Sequence, residues 1–163
     1  MLDYIKVDDT NIDLLGLIHS KAWQASHIGI ASESYWNTIT PEHQTEYFKE
    51  KIQDSNNSYY LIFHNANAIG MISFNLTPTS PVGEVMQLYF LPEFCGQGYG
   101  KYAMDFAVDY FKAKNVHTIK LWAMNINEKA LKFYKKYGYQ YTGIENELDA
   151  SRNITEKCFQ YVL

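Results

Sequence analysis

The order of β and helical segments in this chain predicts an α/β domain of the α+β kind, a mixed sheet with helices on its faces. Three observations carry that prediction. Residues 58–76, "SYYLIFHNANAIGMISFNL", are two β-prone runs around the turn-forming Asn65-Ala66-Asn67, the signature of a hairpin. From residue 83 onward the hydrophobic period switches between two and 3.6, giving strand, helix, strand, helix, strand, as when helices alternate around a sheet. The 163 residues, 47 % apolar and 20 % charged, match one packed core, so 1–163 reads as a single domain.

In order, "LDYIKV" (2–7) is a short strand, and Asp9-Thr10 starts a helix with apolar positions Ile12, Leu15, Ile18, Ala22 and Trp23. "HIGIASESYWNTI" (27–39) has no period and reads as a shaped loop. Thr40 then caps a second helix with Pro41 at its first position, where the missing N–H has no helical partner to lose. After the hairpin, "TPTSPV" (77–82) is a surface loop and "GEVMQLYFL" (83–91) a strand ending at Pro92. A helix follows with Ala103, Phe106, Ala107, Tyr110 and Phe111 on one face. "HTIKLWAM" (117–124) is a strand, and 127–138 a helix presenting Ala130, Phe133, Tyr134 and Tyr137 ahead of a Gly138 cap. "YQYTGIE" and "ITEKCFQYVL" close the chain as strands, and "CFQYVL" is a candidate sheet edge for a homodimer.

Charge and composition narrow the function. A net charge of −4 argues against a nucleic-acid partner, which calls for a basic face, and agrees with a cationic small-molecule substrate. The 14 tyrosines point to a cleft with an apolar body and polar edges. No run approaches a membrane span and "MLDYIKVDDTN" has no signal-peptide core, so no membrane partner is expected and the location is read as cytoplasmic. Two cysteines far apart, Cys95 and Cys158, fit free thiols in a reducing compartment. The five histidines and two cysteines lie at no metal-ligand spacing, so no metal is expected.

One stretch concentrates a third of the nine glycines in five residues: "LPEFCGQGYGK", with Gly96, Gly98 and Gly100 ahead of a helix. Glycines there let backbone N–H groups approach an anion, and the helix N-terminus adds its positive dipole end. A dinucleotide fingerprint would need glycine at 101 or 103, where Lys101 and Ala103 stand. A Walker loop would need glycine at 95 and Ser or Thr at 102, where Cys95 and Tyr102 stand. What is left is either a tight strand-to-helix turn with no ligand or a different phosphate cradle.

With "EVMQLYFLP" before the loop and "NEKALKFYKKYGY" after it, the segment resembles the GNAT superfamily, the acyl-coenzyme A-dependent N-acetyltransferases. The likeness runs from the hairpin to "YQYTG", and the two middle blocks are its specific part. It implies a central, mostly antiparallel mixed sheet flanked by helices and splayed between the fourth and fifth strands. It also implies acetyl-coenzyme A as acyl-donor co-substrate, its pyrophosphate held by Gly96, Gln97, Gly98, Tyr99, Gly100 and Lys101. Cys95 departs from the family's usual Arg or Gln, a bracing position, which leaves the backbone cradle in place. Leu88, Tyr89 and Phe90 would meet the pantetheine arm with free backbone groups. Asn127 would give a polar contact to the cofactor and Tyr134 a proton to the leaving thiolate, against the alternative of a core tyrosine. Glu84, fourteen residues before Gly98, matches the general base of several members and would also touch the substrate; the alternative is a solvated strand-start glutamate.

The segment between the first two helices shapes the acceptor site in this family, which implies His27, Tyr35 and Trp36 as substrate-binding residues, with Trp23 assigned to the core. The expected activity is transfer of an acetyl group to a primary amine of a small molecule or peptide, by direct attack in a ternary complex. The rival readings are a coenzyme A-binding sensor or interaction domain that has lost catalysis, and a structural domain that merely carries the loop.

Overall fold

The changes of period named above become seven strands and five helices. The strands are β1 (Leu2–Lys6), β2 (Asn57–His64), β3 (Asn67–Asn75), β4 (Val82–Phe90), β5 (Thr118–Met124), β6 (Gln140–Asp149) and β7 (Ile154–Val162). The helices are α1 (Ile12–Ser26), α2 (Glu33–Trp36), α3 (Pro41–Lys51), α4 (Tyr99–Lys112) and α5 (Glu128–Tyr137). The computed structural model describes all residues, Met1–Leu163. The strands form one mixed sheet in the order β1-β2-β3-β4-β5-β7-β6, with β4 and β5 parallel and β1-β2, β2-β3, β5-β7 and β6-β7 antiparallel. The α+β mixed sheet with flanking helices is therefore the observed fold class.

By contact density the chain divides into two compact units, Met1–Asn75 with Gln87–Ala103, and Leu76–Met86 with Met104–Leu163, so β4 and α4 each contribute to both. In the first, β2 and β3 form the hairpin, and its turn residues Asn65 and Ala66 take φ of 49° and 64°. That double left-handed turn matches the twist of the strands it joins. Leu15, Ile18 and Ala22 of α1 are buried, as are Phe48 of α3 and Leu61, Ile62, Ile69, Met71, Ile72 and Phe74 of the hairpin. Helices α1 and α3 pack so closely that a Cβ at Gly16 would meet Thr45 Oγ1 and the Pro41 carbonyl oxygen.

In the second unit, the first half of β4 (Val82–Val85) runs beside Thr118–Leu121 of β5. Met104, Ala107 and Phe111 of α4 are buried, as are Val85, Ile119, Leu121 and Phe159. Gly83 is the point of closest approach, since a Cβ there would enter the Phe111 ring.

Four details differ from the sequence reading. Helix α1 begins at Ile12 behind Asn11, because Asp8 is used in a local turn: its Oδ1 accepts the Thr10 N–H at 2.8 Å. The segment 27–39 contains a helical turn, α2, whose Ser32 Oγ accepts the Tyr35 N–H at 3.4 Å; four residues are too few to show a period. A 3-10 turn, Pro92–Phe94, separates β4 from the glycines. The strand carrying "CFQYVL" is no edge: β7 lies between β5 and β6, and β6 is the exposed outer strand.

Candidate active site

At the end of β4, the Leu91 N–H donates to the Ile69 carbonyl at 2.9 Å, the 3-10 turn follows, and Gly96 and Gly98 take φ of 76° and 86°. L-residues rarely adopt that left-handed conformation, and here it turns the chain directly into α4. Nothing lies within 4 Å of where a Cβ of Gly96 or Gly98 would sit, so the loop is open over its glycines. The first turn of α4 holds no acidic residue; the Lys101 N–H donates to the Gly98 carbonyl at 3.2 Å, and the N–H groups ahead of it have no acceptor within the helix. Open backbone, exposed N–H groups and an unopposed dipole end fit an anionic pyrophosphate.

Side chains brace this loop from behind. Gln97 Nε2 donates to the Glu93 carbonyl at 2.6 Å, and the Tyr99 hydroxyl lies 3.3 Å from His64 Nδ1. The Cys95 thiol donates to the carbonyls of Leu91 at 3.5 Å and Phe90 at 3.6 Å, tying the loop to the strand it leaves. Of the residues the resemblance assigned to the cofactor, Leu88, Tyr89, Phe90 and Gly96 to Lys101 thus form one continuous segment, strand, turn and helix end. The sequence reading missed Gly70: a Cβ on this β3 residue would strike the Tyr89 carbonyl oxygen and the Phe90 ring, so only glycine lets β4 press this close.

The second unit holds Glu84, Asn127 and Tyr134. Glu84 faces Lys120 in the parallel register and its Oε2 lies 3.1 Å from Lys120 Nζ, a partner not foreseen from sequence. The β4–β5 ladder pairs Val82–Val85 with Thr118–Leu121, while β4 itself continues to Phe90. Asn127 is the N-cap of α5, its Oδ1 accepting the Ala130 N–H at 3.1 Å. Two turns on, Tyr134 packs on Phe133 and Tyr139 with ring centroids 5.2 and 5.9 Å away. Burial pushes the Tyr134 hydroxyl up to about 12, so it stays protonated near neutral pH. Tyr139 is 2 % exposed, its hydroxyl lacks a partner, and burial holds it protonated as well.

The acceptor candidates lie in the first unit. His27 stacks on Trp23 with centroids 4.0 Å apart and planes 8° off parallel, and Tyr35, 57 % exposed, meets Trp23 edge-on at 5.7 Å. Trp23, assigned to the core from its helical spacing, is the centre of this partly exposed ring cluster. Trp36 instead joins α2 to α1: its Nε1 donates to the Gln24 carbonyl at 3.1 Å, and Gln24 Nε2 returns a bond to the Trp36 carbonyl at 3.4 Å.

His19, also missed, is 4 % exposed beneath the Phe48 and Tyr89 rings at 5.0 and 5.4 Å. The Ser73 hydroxyl donates to Gln87 Oε1 at 3.2 Å, which turns the Gln87 amide nitrogen toward His19 Nε2 at 3.3 Å. Burial, with the nearby charge of His27 second, lowers His19 to about 4, so the ring is neutral. Its position in the apolar stripe of α1 concealed it.

No helix is long and apolar enough to cross a membrane, and no group of three or more His, Cys, Asp or Glu side chains gathers to hold a metal. The chain is 33 % identical over 97 residues to the acetyltransferase PseH of Campylobacter jejuni, covering 58 % of this chain and 59 % of that one. It is 24 % identical over 160 residues to the spermidine N(1)-acetyltransferase of Thermoplasma acidophilum, covering 95 % and 96 % of the two chains. Its fold superposes on the PaiA N-acetyltransferase of Thermoplasma acidophilum, solved in complex with coenzyme A, with a TM-score of 0.77 at 18 % identity, over 100 % of this chain and 99 % of that one. The chain spans 63 % and 44 % of the length of the first curated relatives it matches. The acetyltransferase (GNAT) family model matches residues 28–139, from the segment after α1 through the glycine turn to Tyr139, and the chain belongs to that family.

Proposed function

We propose that residues 1–163 act as one N-acetyltransferase domain that moves the acetyl group of acetyl-coenzyme A to a primary amine of a small molecule or peptide by direct attack. The loop between β4 and α4 carries this reading: two positive-φ glycines with open space above them lead to a helix N-terminus without acid. Gly96, Gln97, Gly98, Tyr99, Gly100 and Lys101 would hold the pyrophosphate, and the backbone of Leu88, Tyr89 and Phe90 the pantetheine arm. Acetyl-coenzyme A supplies the acetyl thioester. An N–H of this strand end stabilises the oxyanion of the intermediate, an effect worth about 3–4 kcal/mol in a dry site.

An alkylammonium titrates near about 10.4, so it must lose a proton before it attacks. Glu84, oriented by Lys120, receives that proton directly or through water. The N–C bond forms, the C–S bond breaks, and the leaving thiolate takes a proton. Tyr134, protonated up to about 12, donates the hydrogen bond to that sulfur. A thiol titrates near about 8.5, so the phenol gives its proton fully only if it is resupplied from the amine. His27, Tyr35 and Trp36 line the acceptor side, with Trp36 also tying α2 to α1. Cys95 and Cys158 are both free thiols, in keeping with a cytoplasmic setting.

Thiol release from acetyl-coenzyme A over polyamines, amino acids, amino sugars and peptide N-termini tests the proposal, with spermidine in the panel because a full-length relative is named for it. Amine-dependent thiol release is the expected result. A coenzyme A-binding domain without turnover is the second reading, favoured by the structural partners that Glu84 and Asn127 already have. Calorimetric heat with acetyl-coenzyme A but no thiol release would select it; absence of both overturns both readings.

A further inference from the structure

His19 and Trp23 lie four residues apart on one face of α1 and His27 follows as its C-cap, a row running from the buried His19 ring beside Tyr89 to the Trp23 ring, which meets both Tyr35 and His27. His27 has a fixed tautomer. Its Nδ1 lies 2.9 Å from the Trp23 carbonyl oxygen, an atom that only accepts, so Nδ1 carries the ring proton. With the ring proton there, the Ser26 hydroxyl donates to the same carbonyl at 2.9 Å and its oxygen, 2.8 Å from Nδ1, is free to accept. Nε2 therefore bears the lone pair. The stack on Trp23 fixes the ring plane, so this lone pair has a set direction. Burial lowers the proton affinity of both His27 and His19, which works against a positive charge on this row.

Resting on the acetyltransferase reading, we propose that His27 is the specificity-determining residue of the acceptor site, its Nε2 accepting an N–H from an alkylammonium substrate whose hydrocarbon arm lies along the rings of Trp23 and Tyr35. The indole N–H of Trp36 is taken up by the Gln24 carbonyl, which leaves that residue its ring alone to offer a substrate. The recognised class is a cationic primary amine on an apolar arm. The site disfavours acceptors that bring only lone pairs to Nε2, such as a carboxylate. Cation–π attraction from the Trp23 and Tyr35 rings adds to the selection.

The test compares the native protein with His27→Phe, which keeps a ring on Trp23 and removes Nε2, and with His27→Gln, which restores an acceptor oxygen. Initial rates are measured with 1,4-diaminobutane and acetyl-coenzyme A. His27→Phe is expected to raise KM for the diamine roughly tenfold or more, as loss of a bond to a charged group does, and to leave KM for acetyl-coenzyme A within about twofold. His27→Gln is expected to recover part of the loss, and both variants to keep the native melting temperature within a few degrees. An unchanged diamine KM in His27→Phe, or an equal rise for both substrates, overturns the proposal. Native protein that acetylates no amine refutes the acetyltransferase reading instead. The inference is then decided by calorimetry of 1,4-diaminobutane with coenzyme A present: native binding that weakens roughly tenfold in His27→Phe supports it, and equal binding, or none to the native protein, overturns it.

Discussion

Tyr134 and Glu84 are single side chains whose surroundings say how far each proposed role can go. A phenol held up to about 12 by burial is a poor source of a free proton and a good hydrogen-bond donor. Tyr134→Phe keeps the packing on Phe133 and Tyr139 and removes only the hydroxyl. It is expected to lower kcat about a hundredfold with KM for acetyl-coenzyme A within about twofold, read from steady-state kinetics; equal activity would remove Tyr134 from the mechanism. Glu84 has a competing explanation as half of a partly exposed ion pair, which by itself is worth under about 1 kcal/mol. Glu84→Gln is expected to lower kcat/KM at neutral pH by about tenfold or more and to leave the melting temperature nearly unchanged. A change in melting temperature alone would mark the carboxylate as a structural partner of Lys120. Spacing to the glycines made position 84 a candidate, whereas Lys120 was invisible until the parallel register placed the two residues side by side.

At the scale of elements, the segment proposed to bind the cofactor is shaped by its neighbours. Gly98 sits at φ 86°, a conformation that costs an L-residue about 1–2 kcal/mol, with open space over its α-carbon. Gly98→Ala is therefore expected to weaken coenzyme A binding in calorimetry by about tenfold, from altered loop geometry, with the fold retained. Gly70 is the opposite case. Its φ is ordinary, but the Tyr89 carbonyl leaves no room for a Cβ, so Gly70→Ala must push β3 and the end of β4 apart. That variant is expected to lose both melting temperature and kcat/KM, since the displaced backbone is the segment assigned to the thioester. The two glycines also show what was readable in advance. Spacing within a single loop reveals Gly98, while the reason for Gly70 lies on the backbone of another strand. Helix α3 was legible from Thr40-Pro41, and the Thr40 Oγ1 indeed accepts the His43 N–H at 3.2 Å. Helix α2 was not, because its single turn is held by Ser32 and by the Trp36–Gln24 pair instead of by a periodic face.

For the whole molecule, His19 links folding to pH. In the unfolded chain its imidazole titrates near 6.5, and in the folded one near 4 because burial opposes the charge. Between those values the unfolded state binds the extra proton, so stability falls as pH drops from about 6.5 toward 4 and levels off below. The full effect approaches about 3 kcal/mol at the low end. A melting curve taken at pH 7 and at pH 4.5 is expected to show a smaller loss in His19→Gln than in the native protein; an identical loss would assign the acid sensitivity elsewhere. The order of secondary-structure elements, the hairpin and the glycine turn were legible because each is written in local period or spacing. Which strand closes the sheet was not, since the pairing partner of a short strand depends on where the chain returns. The position of β7 between β5 and β6 has a consequence for biosynthesis. Strand β6 leaves the ribosome first, and the sheet offers it one neighbour only, β7, which is made afterwards. Until Ile154–Val162 emerges, the ten residues of β6 have no ladder to join and the edge of β5 stands open, so both of these pairings wait on one later strand.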